Sequence, residues 1–233
     1  MNELINSLQR NRPSFHPVVP FDPQEDKLVS LDFTVENTQL DPAIFSDIER
    51  FEEHINAQLR QHNARYGIGG YGEHRAVYAA SSVFNAETGT GEPRRLHLGL
   101  DIWGPAGTPV SAPLGGMVHS LAFNNREGDY GATIILLHQL DGIPFYSLYG
   151  HLSLEDLDLL EGTYINREQV FGHFGKPSEN GHWPPHLHIQ LIIDIEMRKG
   201  DYPGVCKYSE RKKYLNNCPD PDLLVNLDRW KIK

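Results

Sequence analysis

The chain has 233 residues and a formal net charge of −10 at pH 7. This length can bury one large core with extensions, whereas the acidic balance argues against nucleic acid as a partner, because phosphate binding needs clustered Lys and Arg. The longest aliphatic run, residues 134–137, is far shorter than the ~20 residues that a membrane span needs, so we expect no membrane partner.

The first residues carry no sign of an export signal. The segment from Met1 to Asn6 has neither a basic start nor the apolar stretch of about 7–15 residues that a secretory signal contains. We therefore expect a cytoplasmic location. The alternative is the cell envelope, if the natural protein carries a leader ahead of Met1.

Residues 1–90 are expected to form an arm and a helix that pack on the core. Four prolines before residue 24 interrupt any helix, and Lys27–Phe33 alternates weakly, as a strand does. A helix is predicted from Asp41 as its N-cap, with Pro42 in the first turn, to Gly67. Its apolar residues recur at helical spacing: Ile44, Ile48, Phe51, Ile55 and Leu59.

A glycine-rich stretch, residues 67–75, separates this helix from the next segment. It lacks the Lys-Ser/Thr ending and the following helix of a phosphate-binding loop. Glycines let backbone approach closely, so Tyr71, Glu73 or Arg75 could line a substrate cleft. We take Tyr71 and Arg75 as substrate-binding candidates; the alternative is a flexible connector.

Residues 91–195 predict a mostly β (α+β) domain built on an antiparallel sheet. Five segments have the alternation and the Gly, Pro, Asn and Asp boundaries of strands. They are Thr108–Ala112, Met117–Phe123, Thr133–His138, Phe145–His151 and Leu187–Ile193. A short helix is predicted after Ser153, with Asp156 completing a capping box and Leu154, Leu157 and Leu160 on its buried side.

Two histidine motifs predict a zinc site. In an extended strand His97, Gly99 and Asp101 share one face, and His186 and His188 do the same in the later motif. Zinc accepts imidazole nitrogen and carboxylate oxygen, and a catalytic site uses three protein ligands and leaves the fourth position for water. Either motif occurs often by chance, so the prediction rests on their pairing. Gly99 leaves the space between two ligands open.

The motifs resemble those of zinc endopeptidases of the lysostaphin and LytM type. His97-x-Gly-x-Asp101, Tyr149-Gly-His151-Leu152 and Pro185-His186-Leu187-His188 stand in the order of that family, and the similarity covers roughly residues 90 to 195. The resemblance implies one zinc ion per chain held by His97, Asp101 and His188. It also implies that His186 and His151 are catalytic: one orients or deprotonates water, and the other stabilises the oxyanion or protonates the leaving amine.

Two further residues are candidates for roles near this site. His138 ends a predicted strand, where similar proteins often also carry a histidine, and we expect it to support the site from the second shell. Trp183 precedes the second motif closely and is a substrate-binding candidate, although ordinary packing would explain it equally well.

Residues 196–233 are expected to form a C-terminal extension that packs on the domain. Its anchors are predicted to be Tyr202, Leu223, Leu224, Val225 and Trp230. The spacing of Cys206 and Cys218 does not resemble a zinc-binding pair. We favour reduced thiols over a disulfide that closes the C-terminal loop.

The family resemblance implies hydrolysis of peptide bonds in short, often glycine-containing peptidoglycan cross-links, so a peptide or muropeptide-like substrate is expected. An acidic protein would be repelled by polyanionic cell walls, which favours an intracellular peptide or amide substrate. The stretch 128–131 with residues 183–186 also resembles, more loosely, peptidase-like modules fused to kinase-like and aminotransferase domains. The alternatives are a non-catalytic binding or scaffold module and a zinc amidase that acts on a non-peptidoglycan substrate.

Overall fold

The computed structural model describes residues 1–38, 40–79, 84–85, 91–227 and 230–232. The α-helices are α1 (Asn2–Asn11), α2 (Ile48–His62), α3 (Arg211–Asn217) and α4 (Asp222–Val225). The strands are β1 (Leu28–Ser30), β2 (Tyr66–Gly69), β3 (Arg94–His97), β4 (Leu100–Trp103), β5 (Pro109–Ser111), β6 (Gly116–Asn124), β7 (Gly131–Leu140), β8 (Ile143–Leu152), β9 (Tyr164–Ile165), β10 (Val170–His173), β11 (His186–Ile192), β12 (Val205–Lys207) and β13 (Lys231–Ile232).

A nine-stranded sheet with the order β13-β1-β2-β4-β11-β8-β7-β6-β9 dominates the fold. The pairings from β2 to β9 are antiparallel, as the sequence predicts. At one edge, however, β1 runs parallel to both β2 and β13. All five predicted strands are present, within one or two residues at their ends. The prediction of a mostly β fold with a large antiparallel sheet is confirmed.

Strand β11 lies near the middle of this sheet, between β4 and β8, and every one of its residues is buried. Its apolar side chains Leu187 and Ile189 join the main core with Ile102 of β4 and Ile134 of β7. Because this apolar face is fixed by the core, the opposite face of β11 presents its polar residues in a defined position.

The predicted helix from Asp41 to Gly67 is interrupted. A 3₁₀ turn over Pro42–Ser46 follows Asp41, whose side chain accepts from the backbone N–H of Ala43. Asp47 then adopts an extended conformation and caps α2 through its side chain. The helix ends at Asn63, which has the left-handed conformation typical of a helix terminus. A second Asx cap inside the apolar pattern therefore divides the predicted helix in two.

The segments outside the central strands are tied into the same structure. Part of the glycine-rich stretch forms β2, which pairs with β4, so it is not a loop throughout. Helix α1 lies before the first interrupting proline and was not predicted; its Leu4 and Leu8 are buried against Phe145 and Leu224. The division at residues 90 and 195 stays a prediction.

The segment after Ser153 forms a 3₁₀ helix, Leu154–Asp158, without a side-chain cap from Ser153. The predicted capping box is wrong because the Asp156 carboxylate instead accepts from the backbone N–H of His173. Leu157 packs on the core, whereas Leu154 and Leu160 are exposed.

The C-terminal extension is anchored by Tyr202, Leu224 and Val225, which are buried, while Leu223 is half-buried and Trp230 is exposed. Cys206 and Cys218 are both buried and form no disulfide, in agreement with the expected reduced thiols. Among the helices of the described residues, none combines the length and the apolar composition needed to cross a membrane.

Candidate metal centre

The segment from His97 to Asp101 does not form one continuous strand. His97 ends β3, which pairs with β12 in a separate two-stranded sheet, whereas Asp101 lies in β4 of the large sheet. The chain changes sheets at Leu98 and Gly99. The expectation that both ligands share a face of one strand is therefore wrong, and their proximity comes from this crossing.

Three acceptor atoms meet at this crossing. The Nε2 atom of His97 lies 3.0 Å from Nδ1 of His188 and 3.3 Å from Oδ1 of Asp101, and the His188 to Asp101 distance is 3.1 Å. Cross-strand pairing explains why His188 and Asp101 are close, since His188 of β11 lies directly opposite Asp101 of β4. A tetrahedral zinc shell with bonds of about 2.0–2.1 Å has ligand atoms about 3.3 Å apart, so these three atoms fit it closely.

The hydrogen bonds of the two histidines orient their lone pairs inward. His97 Nδ1 lies 3.0 Å from the carbonyl oxygen of Gly70, and His188 Nε2 lies 3.1 Å from Oε1 of Gln190. Each of those nitrogens must donate, which leaves His97 Nε2 and His188 Nδ1 as acceptors in the neutral rings. Three acceptors at such distances repel one another, and a divalent cation among them removes that repulsion.

Burial sets the protonation states that metal binding needs. It lowers the pKa of His97 to about 4, with the nearby Arg75 charge acting in the same direction. Burial alone would raise the pKa of Asp101, but its interactions with His97 and the charged Arg75, together with the hydrogen bond from His188, hold it well below its usual range. Neutral imidazole and ionised carboxylate are the forms that bind zinc.

Glycine is required at position 99 for a steric reason that differs from the predicted one. A Cβ atom at this position would lie 2.4 Å from Cε1 of the His188 ring and 2.8 Å from the carbonyl oxygen of Ile189. The space above Gly99 is therefore occupied by the His188 imidazole. Any side chain here would displace that ring from Asp101.

Arg75 lines the cavity beside the site, but its main contacts are with the site itself. Its guanidinium donates to Oδ2 of Asp101 and, at 3.0 Å, to Glu73. Gly69 makes room for this side chain, because a Cβ there would lie 2.6 Å from an Arg75 nitrogen. Arg75 thus leaves only Oδ1 of Asp101 to face the two histidines.

His151 and His186 form a second histidine pair next to the three acceptor atoms. Their ring centroids are 4.1 Å apart, and the His151 ring lies 6.2 Å from that of His188. His151 Nδ1 lies 2.7 Å from the carbonyl of Asn180, and His186 Nδ1 lies 2.8 Å from that of Pro184. Because both Nδ1 atoms donate, both Nε2 atoms are free acceptors in the neutral rings.

Burial also keeps this second pair uncharged. It lowers the pKa of His186 to about 4 and holds that of His151 well below its usual value, where the neighbouring His186 acts in the same direction. The rings are fixed as well: His186 stacks on Trp103 with centroids 3.8 Å apart. The structure thus places two rigid proton acceptors at the edge of the three-atom cluster.

A cavity of about 340 Å³ opens over these groups and is lined by Asp101, His151, His186 and His188. Trp183 also lines it, with its ring 6.3 Å from that of His151. Tyr78 was missed by sequence reasoning, since nothing in its neighbourhood marks it. It is buried beside His97, lines the cavity and accepts from Arg75 at 3.3 Å.

Tyr71 is placed otherwise than expected. Its hydroxyl donates to the carbonyl of Cys218, 2.5 Å away, and Tyr71 is not among the described residues that line the cavity. It links the glycine-rich segment to the C-terminal extension.

His138 does not support the site. Its Nδ1 is 2.9 Å from the carbonyl of Gly115 and its Nε2 is 2.6 Å from the hydroxyl of Ser147, and its ring stacks on Phe145. The second-shell assignment of His138 is therefore wrong. The acceptor behind His188 is Gln190, which stands two residues further along the same strand face and could have been found by that spacing.

The replacement of Gln190 with leucine is expected to weaken zinc affinity by about 10–100-fold, because His188 loses the acceptor that orients its ring. Competition with a chelator of known zinc affinity measures the change. His138→Gln is the matched control, a second buried polar substitution that should leave zinc affinity as in the wild type. Equal affinities of Gln190→Leu and the wild type would contradict the orienting role.

Comparison with known proteins places this site within a matched region. Residues 95–200 match the model of "Peptidase family M23". The chain is 34% identical over 100 residues to the DD-carboxypeptidase/endopeptidase Mpg of Neisseria meningitidis serogroup B, covering 43% of this chain and 21% of that protein. It is 29% identical over 140 residues to the L-Ala–D-Glu endopeptidase of Bacillus subtilis, covering 55% and 41%. The chain thus spans well under half the length of these relatives.

A similar solved structure is the catalytic domain of the antimicrobial peptidase lysostaphin from Staphylococcus simulans. It aligns with a TM-score of 0.39 and 22% identity over 71% of this chain and 98% of that domain.

Proposed function

We propose that this chain is a zinc-dependent peptidase that hydrolyses a peptide bond, since residues 95–200 match the model of peptidase family M23. One observation carries the proposal: His97, Asp101 and His188 bring three acceptor atoms within 3.3 Å of one another, beside two further histidines in the same cavity. Zinc bound there supplies a Lewis acid that lowers the pKa of water to about 7.

His151 and His186 are assigned to proton transfer. In their neutral forms, each offers a free Nε2 atom to the cavity side of the cluster, while its Nδ1 is held by a backbone carbonyl. One ring accepts a proton from water at its Nε2 atom. The other ring, once it has taken up a proton at Nε2, delivers that proton to the leaving amine or donates a hydrogen bond to the developing oxyanion. Histidine suits both tasks, and such proton transfer contributes about 10²–10⁴-fold to rates.

Other side chains keep the site in shape and exclude water. Arg75 and Glu73 hold the Asp101 carboxylate, so that its free oxygen keeps its direction. Tyr78, Trp103 and Trp183 surround the histidines with aromatic surface. A fixed polar constellation inside an apolar wall is the arrangement that strengthens electrostatic interactions during catalysis.

The proposed substrate is a short peptide of the kind found in peptidoglycan cross-links, including glycine-containing peptides. The named relatives support a peptide substrate, since one is a DD-carboxypeptidase/endopeptidase and the other an L-Ala–D-Glu endopeptidase. The other candidates, a zinc amidase on a different substrate and a scaffold without activity, are outcomes of the following test.

Metal removal and repletion test the proposal. After treatment with a chelator and return of zinc, we expect about one zinc per chain and recovery of hydrolysis of muropeptides or glycine peptides, followed by mass spectrometry. Zinc below about 0.2 per chain after repletion would support a scaffold. Full zinc content with every peptide left intact, but with cleavage of other amides, would support an amidase.

A further inference from the structure

The cavity that holds the histidines also carries an unusual concentration of positive charge. Arg94, Arg126 and Arg198 all line it, although they lie on separate segments of the chain. Arg126 and Arg198 are exposed and Arg94 is half-buried, whereas the histidines are buried. The arginines therefore lie at the solvent side of the cavity. The chain has a formal net charge of −10, so three guanidinium groups around one opening contrast with the charge of the chain as a whole.

Two carboxylates, Asp129 and Asp201, line the same cavity but do not cancel this charge. Burial raises the pKa of Asp129, and the nearby Asp201 raises it further, while Arg126 and Arg94 act in the opposite direction. Within the described parts of the chain, no ion pair joins Arg126 or Arg198 to either aspartate, and the Nε atom of Arg198 lies 4.0 Å from a carboxylate oxygen of Glu196. With Arg75 and Asp101, which pair with each other, the described lining contains four arginines and three aspartates. Burial disfavours the charged form of Asp129.

The aromatic wall contains two buried indole N–H groups. Within the described part of the molecule, the indole Nε1 atoms of Trp103 and Trp183 are buried without a partner, and both residues line the cavity. A buried donor without an acceptor costs about 1–3 kcal/mol. The donors that the lining presents to solvent are therefore the guanidinium groups at the opening, which favour a ligand that carries carboxylate oxygens.

Much of this lining comes from outside the matched residues 95–200. Val77, Tyr78 and Arg94 precede that range, and residues 201–205 follow it. These residues lie outside the part of the chain that matches the family model. Arg126 and Arg198 lie within the matched range, whereas Arg94 lies just before it.

We propose that the opening of this cavity selects peptides that carry a free carboxylate close to the scissile bond, held by Arg126 and Arg198. This inference rests on the proposed peptidase function and specifies the class of peptide. Arg94 adds to the positive field, which concentrates anionic peptides at the opening.

Calorimetry with two matched dipeptides tests the selection on the zinc-loaded protein. L-Ala–D-Glu carries the carboxylates, and L-Ala–D-Gln amide has nearly the same shape without them. We expect the wild type to bind the first at least about tenfold more tightly, as one or two charge-assisted hydrogen bonds would give. The double substitution Arg126→Gln and Arg198→Gln should reduce this preference below about threefold.

Arg60→Gln is the control, since Arg60 lies on α2 and pairs with Glu53 at the surface; it should keep the wild-type preference. The inference would be overturned if the wild type bound both dipeptides equally, or if the double variant kept the wild-type preference. The proposed function would still stand in that case, provided that the protein binds zinc and hydrolyses peptides. Conversely, carboxylate preference in a protein that binds no zinc and cuts no peptide would support carboxylate binding at the opening but overturn the proposed function and, with it, the selection of a scissile peptide.

Discussion

Loss of zinc and loss of hydrolysis are expected together when His188 is replaced with alanine. The substitution removes the Nδ1 atom that lies 3.0 Å from His97 and 3.1 Å from Asp101, and two remaining ligands do not hold zinc firmly. We expect kcat/KM to fall at least about a thousandfold, equivalent to about 4 kcal/mol in the activation barrier. Elemental analysis and peptide hydrolysis measured on the same sample check both losses.

His188→Ala is preferable to Asp101→Ala for this test. Asp101 compensates the buried charge of Arg75, and removal of one partner from a buried ion pair costs about 3–5 kcal/mol of stability. Asp101→Ala should therefore lose metal and activity too, but with a lower Tm. His62→Ala, on helix α2, serves as the control and should retain one zinc and full activity. A His188→Ala protein that keeps zinc and turnover would remove His188 from the site.

The replacement of His151 with asparagine is expected to abolish most hydrolysis while zinc stays bound. His151 has a left-handed backbone with φ 63°, which asparagine tolerates better than most residues. Its side-chain amide can also keep the donation to the Asn180 carbonyl that Nδ1 now makes. The variant therefore loses chiefly the free Nε2 atom, and kcat should fall by about 10²–10⁴-fold.

Zinc content near one per chain together with the fall in kcat would assign His151 to chemistry and not to metal binding. The matched comparison is His173→Asn, since His173 is a half-exposed histidine paired with Asp156, and it should leave kcat unchanged. Full turnover of the His151→Asn protein on a validated peptide would show that His151 is not catalytic.

The strands and the residue types of the site could be predicted from local patterns. Alternation marks β6, β7, β8 and β11 because their apolar faces must be buried, and that requirement is visible in the sequence alone. The boundaries of α2 were harder to predict from the sequence. Both Asp41 and Asp47 can cap a helix, and the apolar spacing continues through the break between them.

The supporting contacts of the site could not be predicted in the same way. Arg75 reaches Asp101 from 26 positions earlier, and Gly70 contributes only its carbonyl oxygen to His97. Neither contact has a local signature. His138 shows the opposite error: a histidine at a strand end suggested a role, but its strand β7 is separated from β11 by β8, and its side chain bonds elsewhere.

The residue types along the chain define the available chemistry: imidazoles and a carboxylate on segments whose apolar residues must face a core. Which of the twelve histidines meet depends on contacts between distant segments. These contacts set the crossing at Leu98–Gly99, the register that places His188 opposite Asp101 and the left-handed backbone of His151. Side-chain type is a local property, whereas the separation of two side chains is fixed by the packing of the whole chain.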